Sequence, residues 1–114
     1  MDSILTSIKK LLGITEDYEH FDVDIVMHIN SAFSTLSQIG VGPVEGFTIS
    51  GKDSKWDDFA QVSNVSNIEN VKMYVYLKTR LIFDPPASGI ATESVKDTIK
   101  ELEYRLNVQC ETNT

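Results

Sequence analysis

Four segments of the 114-residue chain carry apolar residues at spacings of three and four, which is the repeat of an amphipathic helix. The predicted helices cover residues 3–12, about 23–39, from just after 66 to about 83, and about 93–108. Gly13 and Gly40 follow the first two, where a residue with positive φ commonly ends a helix. Pro85 and Pro86 stop the third, because proline lacks the backbone N–H that a helix needs. The pattern predicts an all-α fold, a small bundle of four main helices.

Polar residues that suit helix N-termini precede these segments. Asp2 or Ser3 is a candidate N-cap for the first helix, and Asp22 for the second. Ser66 and Glu69 have the spacing of a capping box ahead of the third. These residues place the predicted helix starts independently of the apolar pattern.

A long glycine-containing loop is expected over about residues 40–55, since Gly40, Gly42, Pro43, Gly46 and Gly51 exclude a helix there. Alternation of apolar and polar residues indicates a short extended segment over 47–50, and Ser54 with Asp57 suggests a helical turn after it. Such a loop can add to a neighbouring chain. The candidate inter-subunit residues are Phe47, Ile49, Trp56 and Phe59. The competing interpretation is that Trp56 and Phe59 fill the core beneath the loop.

The chain is long enough for one domain and too short for two. We expect a single helical domain over residues 1–108, followed by a flexible polar tail over 109–114. The chain's one cysteine, Cys110, falls in that tail, so no internal disulfide is possible. No apolar run approaches the roughly 18 residues of a membrane span, and the N-terminus does not have the pattern of a signal peptide.

Acidic residues outnumber basic ones 17 to 10, for a net charge of −7. No Lys or Arg occurs between Leu11 and Gly51. Most acids of this stretch are clustered in Glu16, Asp17, Glu19, Asp22 and Asp24. They form either a solvated loop and helix start or a surface that meets a basic partner or repels DNA. Strong general DNA binding is not expected, because it depends mainly on Lys and Arg.

Residues suited to catalysis do not form a recognisable set. Glu16, His20 and Asp24 share a helical spacing that could serve a metal-dependent enzyme, but only if the helix began before Glu16, which the Asp22 cap argues against. A calcium loop over residues 16–27 lacks its central glycine. We therefore predict no enzyme activity, no metal and no cofactor.

The order of the segments resembles the small head–tail connector, or adaptor, proteins of long-tailed bacteriophages. The resemblance covers roughly residues 4–108 and rests on the phrases "LLGI", "FDVDIVMHINSAFSTLSQIGVGP", "GFTI", "WDDF", "VKMYVYLKTRLIFDPP" and "ELEYRLNV". It implies an all-helical subunit of a ring of about a dozen copies, which lies beneath the portal, extends the DNA channel and docks tail-side proteins. DNA would pass through without specific binding.

The same resemblance implies a location at the head–tail interface of the virion, and in the host cytoplasm during assembly, with no membrane partner. On this interpretation, the five clustered acids face the channel lumen or a basic patch of the portal. The alternative hypothesis is an acidic phage or mobile-element protein that mimics DNA and inhibits a basic host partner.

Overall fold

The computed structural model describes residues 3–65 and 68–113, and these form five helices. They are α1 (Ile4–Leu11), α2 (Asp22–Gln38), α3 (Trp56–Val62), α4 (Ile68–Phe83) and α5 (Gly89–Asn113). The all-α prediction is confirmed, and α1, α2, α4 and α5 are the four main helices expected. Helix α3 lies where only a helical turn was predicted. No strand occurs in the described ranges; residues 47–50 are irregular, and the one bridge pairs Ser3 with Lys55.

The two predicted glycine stops are confirmed in detail. Gly13 has φ +82° and donates its N–H to the Lys10 carbonyl, while the Ile14 N–H bonds the Lys9 carbonyl at 2.9 Å. Gly40 has φ +85°, and the Val41 N–H bonds the Leu36 carbonyl at 2.8 Å in the same arrangement. Each glycine therefore satisfies the last free carbonyls of its helix and turns the chain sharply.

Helix starts agree less closely with the sequence. Ser3 caps α1 by accepting the Thr6 N–H at 3.3 Å, as predicted. Asp22 does not cap α2: Phe21 occupies the N-cap position, and Asp22 is the first helical residue. The cap of α3 is shifted by one residue from the predicted Ser54 and Asp57: Lys55 is the N-cap, and Asp58 accepts its backbone N–H at 2.8 Å. Ser66 of the predicted capping box lies outside the described residues.

Helices α2 and α4 pack against each other at the centre of the molecule. They run antiparallel, since the Phe21 ring at the start of α2 contacts the Phe83 ring at the end of α4, 5.2 Å between centroids. Helix α5 packs mainly on α4, and α1 contacts both α2 and α4. Most of the apolar positions predicted for the helices meet in one core, whose largest fully buried side chains include Trp56, Tyr74 and Phe33, whereas Leu11 and Ile82 stay exposed.

The predicted end of the last helix near Val108 is wrong. Helix α5 continues to Asn113, through most of the segment expected to be a flexible tail. Cys110 is buried, and it extends the apolar stripe of Ile99, Leu102 and Leu106 by one more turn. The polar residues between these positions obscured the repeat in the sequence.

The candidate inter-subunit residues lie mostly within the chain's own core. Ile49, Trp56 and Phe59 are buried, and Phe47 is half-buried against the rings of Phe33 and Phe59. The positions of Trp56 and Phe59 match the competing interpretation, in which these two side chains fill the core beneath the loop. Ile49, Trp56 and Phe59 therefore have almost no exposed side-chain surface with which to contact a neighbouring subunit.

Within the described ranges, we find no helix that is both long enough and apolar enough to cross a membrane.

Candidate functional site

The clustered acids lie on the α1–α2 connection and the first turn of α2. Short turns build the connection, in which the Tyr18 N–H bonds the Thr15 carbonyl at 3.1 Å and the Asp22 N–H bonds the Glu19 carbonyl at 3.2 Å. The exposed members of the cluster are Glu16, Asp17, Glu19 and Asp24. Asp22 and Asp24 stand in the first helical turn, where the helix dipole favours negative charge.

Asp22 differs from the other acids because it has a buried basic partner. Lys9 is only 2% exposed, and its Nζ lies 2.9 Å from Asp22 Oδ1. The same ammonium donates to the Glu16 backbone carbonyl at 3.0 Å. One lysine on α1 therefore holds both ends of the acidic connection and fixes where α2 begins.

This arrangement divides the acidic cluster into two parts. The charge of Asp22 is compensated by Lys9, so Asp22 contributes structure rather than net charge. Four exposed carboxylates remain, and three of them, Glu16, Asp17 and Glu19, line a shallow recess whose rim also carries Lys52. The surface available to a partner is thus a local concentration of negative charge, with Glu16, Asp17 and Glu19 projecting from one connection.

The structure does not support the metal hypothesis for Glu16, His20 and Asp24. His20 packs edge-on against Phe21, with 4.8 Å between ring centroids. Among the residues that the structure describes, no group of three His, Cys, Asp or Glu side chains is arranged to hold a metal ion. Helix α2 begins at Asp22, so Glu16 and His20 are not on the helix that the spacing required.

Asparagine side chains fix the long loop that follows α2. Asn30 accepts the Ile49 N–H at 2.7 Å and donates to the Ile49 carbonyl at 3.0 Å, so its amide pairs with the backbone as a strand would. Asn64 accepts from the Gly42 N–H and donates to the Gly40 carbonyl. Asn107 of α5 donates to the Ile39 carbonyl at 2.7 Å. The loop is therefore held to three separate parts of the chain.

Gly42 is required at the turn that these asparagines hold. Its φ is +93°, and a Cβ there would lie 3.1 Å from the Phe59 ring. Beyond it, the Gly46 N–H closes a turn on the Pro43 carbonyl at 2.9 Å and leaves Val44 almost fully exposed. The loop presents a small, defined tip.

Other buried polar contacts join the helices to one another. The Tyr74 hydroxyl donates to Glu103 Oε2 at 2.7 Å, linking α4 to α5. Burial, reinforced by the hydrogen bond to Glu103 and its negative charge, raises the pKa of Tyr74 well above its usual range, so the phenol stays protonated. The Trp56 indole N–H donates to Ser7 Oγ at 2.8 Å, which ties α3 to α1.

Sequence reasoning missed Lys9, Asn30, Asn64 and Asn107 as organising residues. Two of them carried a usable signal: Lys9 is four residues after Leu5, on the apolar side of α1, and Asn30 lies between the buried positions Ile29 and Ala32. A polar residue at a position that the helical repeat assigns to the core requires a hydrogen-bond partner. The partner itself cannot be read from the spacing.

Comparison with known proteins gives one family. A family model described as "Phage connector protein" matches residues 4–113, which is nearly the whole chain. Searches among curated proteins and among solved structures gave no match. The matched range includes the acidic connection, the long loop held by the asparagines and all five helices. It agrees with the resemblance identified from the sequence phrases. The chain belongs to the phage connector protein family.

Proposed function

We propose that this chain is a head–tail connector that forms a ring below the portal, extends the DNA channel and docks tail-side proteins. The family match over nearly the whole chain carries this proposal. A structural subunit of this kind acts through its surfaces, and the side chains described above organise helices and a loop rather than a reaction centre. The same reasoning favours a role without catalysis.

The exposed acids suit a position beside DNA. Glu16, Asp17, Glu19 and Asp24 repel phosphate, so a wall that carries them lets DNA slide instead of binding it. Equally, they complement a basic patch on the portal. In both cases the acidic connection faces the channel axis or the portal, and Lys9 keeps it in one conformation.

Loss of the gene tests the overall role. In a phage that carries an early stop codon in this gene, we expect lysates with filled or emptied heads and separate tails, seen by electron microscopy. Supplying the wild-type chain from a plasmid restores joined particles. Normal particles in the absence of the chain would contradict the connector role.

Neutralising the acids tests their position. The variant Glu16→Gln, Asp17→Asn, Glu19→Gln should still enter particles, but it should lower the yield of infectious phage. The matched control is Glu93→Gln, Asp97→Asn, Glu101→Gln, which removes the same charge from exposed positions of α5. If both sets have equal effects, or if a particle structure places the acidic connection on the outer rim, the proposal for these acids is wrong.

The alternative of an acidic inhibitor makes a different prediction. Such a protein binds a basic host protein as a monomer and is dispensable for particle assembly. Particles that assemble normally without the chain, together with its recovery on a basic host partner, would favour that function.

A further inference from the structure

Beyond its first turn, the exposed face of α2 lacks the charges found elsewhere on this acidic molecule. Glu45 is the only Asp, Glu, Lys or Arg between Ile25 and Gly51, in a chain of which 24% is charged. Along α2, the exposed residues of that interval are Met27, Ser31, Ser34 and Gln38, which share one helix face; Asp24, in the turn before Met27, is the exposed charge at its start. Met27 is 61% exposed, so this uncharged face includes an apolar side chain beside its polar ones.

A second exposed apolar strip lies on α4 and the end of α1. Leu11 is 55% exposed and Met73 48% exposed. Leu11, Tyr76 and Arg80 line one recess, which Asp84 borders, and the Arg80 guanidinium lies 3.4 Å from the Tyr76 hydroxyl. This strip carries one of the chain's ten basic residues beside its exposed apolar side chains.

The two surfaces lie on different helices. Helices α2 and α4 pack directly together, and each buries one side, which includes Ile29 in α2 and Val75 in α4. The exposed side chains of each helix lie away from its buried residues and form a separate patch. Two different patches on one subunit are what a heterologous contact between copies requires.

The net charge of the chain bears on which molecule can pack on the α2 face. Two copies with a net charge of −7 repel each other wherever their acids meet. The uncharged α2 face is a surface on which another copy can approach without placing carboxylate against carboxylate, and the apolar strip beside Arg80 is suited to receive it. We propose that the α2 face of one copy packs on the strip of Leu11, Met73 and Tyr76 of the next copy. This pairing rests on the proposed ring and names its lateral contact.

Charge insertion tests the pairing in the full-length chain. Met27→Glu and Ser34→Glu place a carboxylate on the α2 face, and Met73→Glu places one on the α4 strip. We expect each to raise the apparent dissociation constant of self-association about tenfold or more, measured by sedimentation velocity and native mass spectrometry. Thr98→Glu on the exposed face of α5 is the matched control and should assemble as the wild type does. Circular dichroism melts identify any variant that fails to fold.

Mixing separates a heterologous pairing from a symmetric one. Ser34→Glu protein retains its α4 strip and Met73→Glu protein retains its α2 face, so an equimolar mixture should form one-to-one dimers that do not grow. Wild-type protein should form larger assemblies as its concentration rises. A wild-type dimer that Ser34→Glu abolishes and Met73→Glu leaves intact would overturn the pairing and count against a ring.

Two further outcomes separate this inference from the proposed function. Wild-type protein that forms rings which neither α2 substitution weakens would overturn the pairing and leave the ring intact. Wild-type protein that stays monomeric up to about 1 mM would also overturn the inference, because the surface then does not support self-association. The connector role is tested separately by the loss of head–tail joining in the phage.

Discussion

Lys9 shows how a single residue can determine the position of an exposed segment. A buried ammonium is unfavourable unless a carboxylate and further hydrogen bonds satisfy it. Lys9 obtains both from the α1–α2 connection, through Asp22 and the Glu16 carbonyl. The pair therefore couples the fold of α1 to the placement of the exposed acids.

We expect Asp22→Ala to lower the free energy of unfolding by about 2–3 kcal/mol, because it leaves Lys9 buried without its partner. Adding Lys9→Met should recover part of that loss, since the buried charge is then removed. Chemical denaturation measures both variants. Asp24→Ala is the control in the same helical turn and should cost only about 0.5 kcal/mol, for the weaker interaction with the helix dipole. Equal losses for the two aspartates would show that the ion pair contributes nothing specific.

At the scale of elements, side-chain amides take the place of a second strand. The segment 47–50 has the alternation of a strand but no strand neighbour in the part of the chain that the structure describes. Asn30 supplies both a donor and an acceptor to Ile49, which satisfies the backbone there and seats the Ile49 side chain in the core. The long loop is consequently a fixed part of the domain.

Replacing Asn30 by Ala should destabilise the protein by about 2 kcal/mol, since it leaves two backbone groups of a buried residue unpaired. Hydrogen exchange of the Ile49 amide should become faster to match. Asn30→Asp keeps the acceptor for the Ile49 N–H and loses the donor, so its effect should be smaller. Ser31→Ala, on the exposed side of the same helix, serves as the neutral control. An unchanged exchange rate of the Ile49 amide in Asn30→Ala would show that the Asn30 side chain does not hold the loop.

The length of α5 makes a second prediction at this scale. Burial raises the pKa of the Cys110 thiol, and a buried thiol is also shielded from reagents. Cys110 should react with Ellman's reagent at least about a hundredfold more slowly in the native protein than in urea. Tyr104→Cys in a Cys110→Ala chain provides an exposed thiol on the same helix for comparison. Rapid native labelling of Cys110 would mean that the helix ends near Val108 after all.

For the whole molecule, the distribution of charge over the surface says more about possible contacts than the net charge does. The structure places one group of acids on the α1–α2 connection and the first turn of α2, and it leaves the outer face of α2 uncharged from Met27 to Gln38. The same chain thus carries an acidic surface and a separate uncharged surface, which is the one that we propose for contact between copies. Both are properties of the folded arrangement and not of the net charge of −7.

Salt should therefore strengthen self-association. At about 10 mM ionic strength the repulsion between acidic copies extends roughly 30 Å, whereas at about 150 mM it is screened beyond roughly 8 Å. Since the proposed contact packs the uncharged α2 face on apolar side chains and needs no ion pair between copies, screening removes the repulsion and leaves the attraction. Sedimentation velocity at the two salt concentrations should show more assembly at the higher one. Assembly that dissolves as salt rises would instead indicate a contact made by ion pairs.

The sequence by itself determined the helices and most of their ends. Apolar spacing gave the faces of α1, α2 and α4, and Gly13, Gly40 and Pro85 stopped those helices because their backbone constraints act locally. The phrases that carry the family resemblance were also readable directly. Signals of this kind depend only on residues that are close along the chain, so they can be read from the sequence.

Only the tertiary structure decided which polar residues are used inside the molecule. Asp22 pairs with Lys9 instead of capping α2, and Trp56 fills the core instead of projecting from a loop, because partners distant in sequence compete with the local roles. Cys110 is buried since α5 continues far enough to lie in the core. Periodicity shows that a side chain faces inward, but the contact that satisfies it depends on which elements the fold brings together.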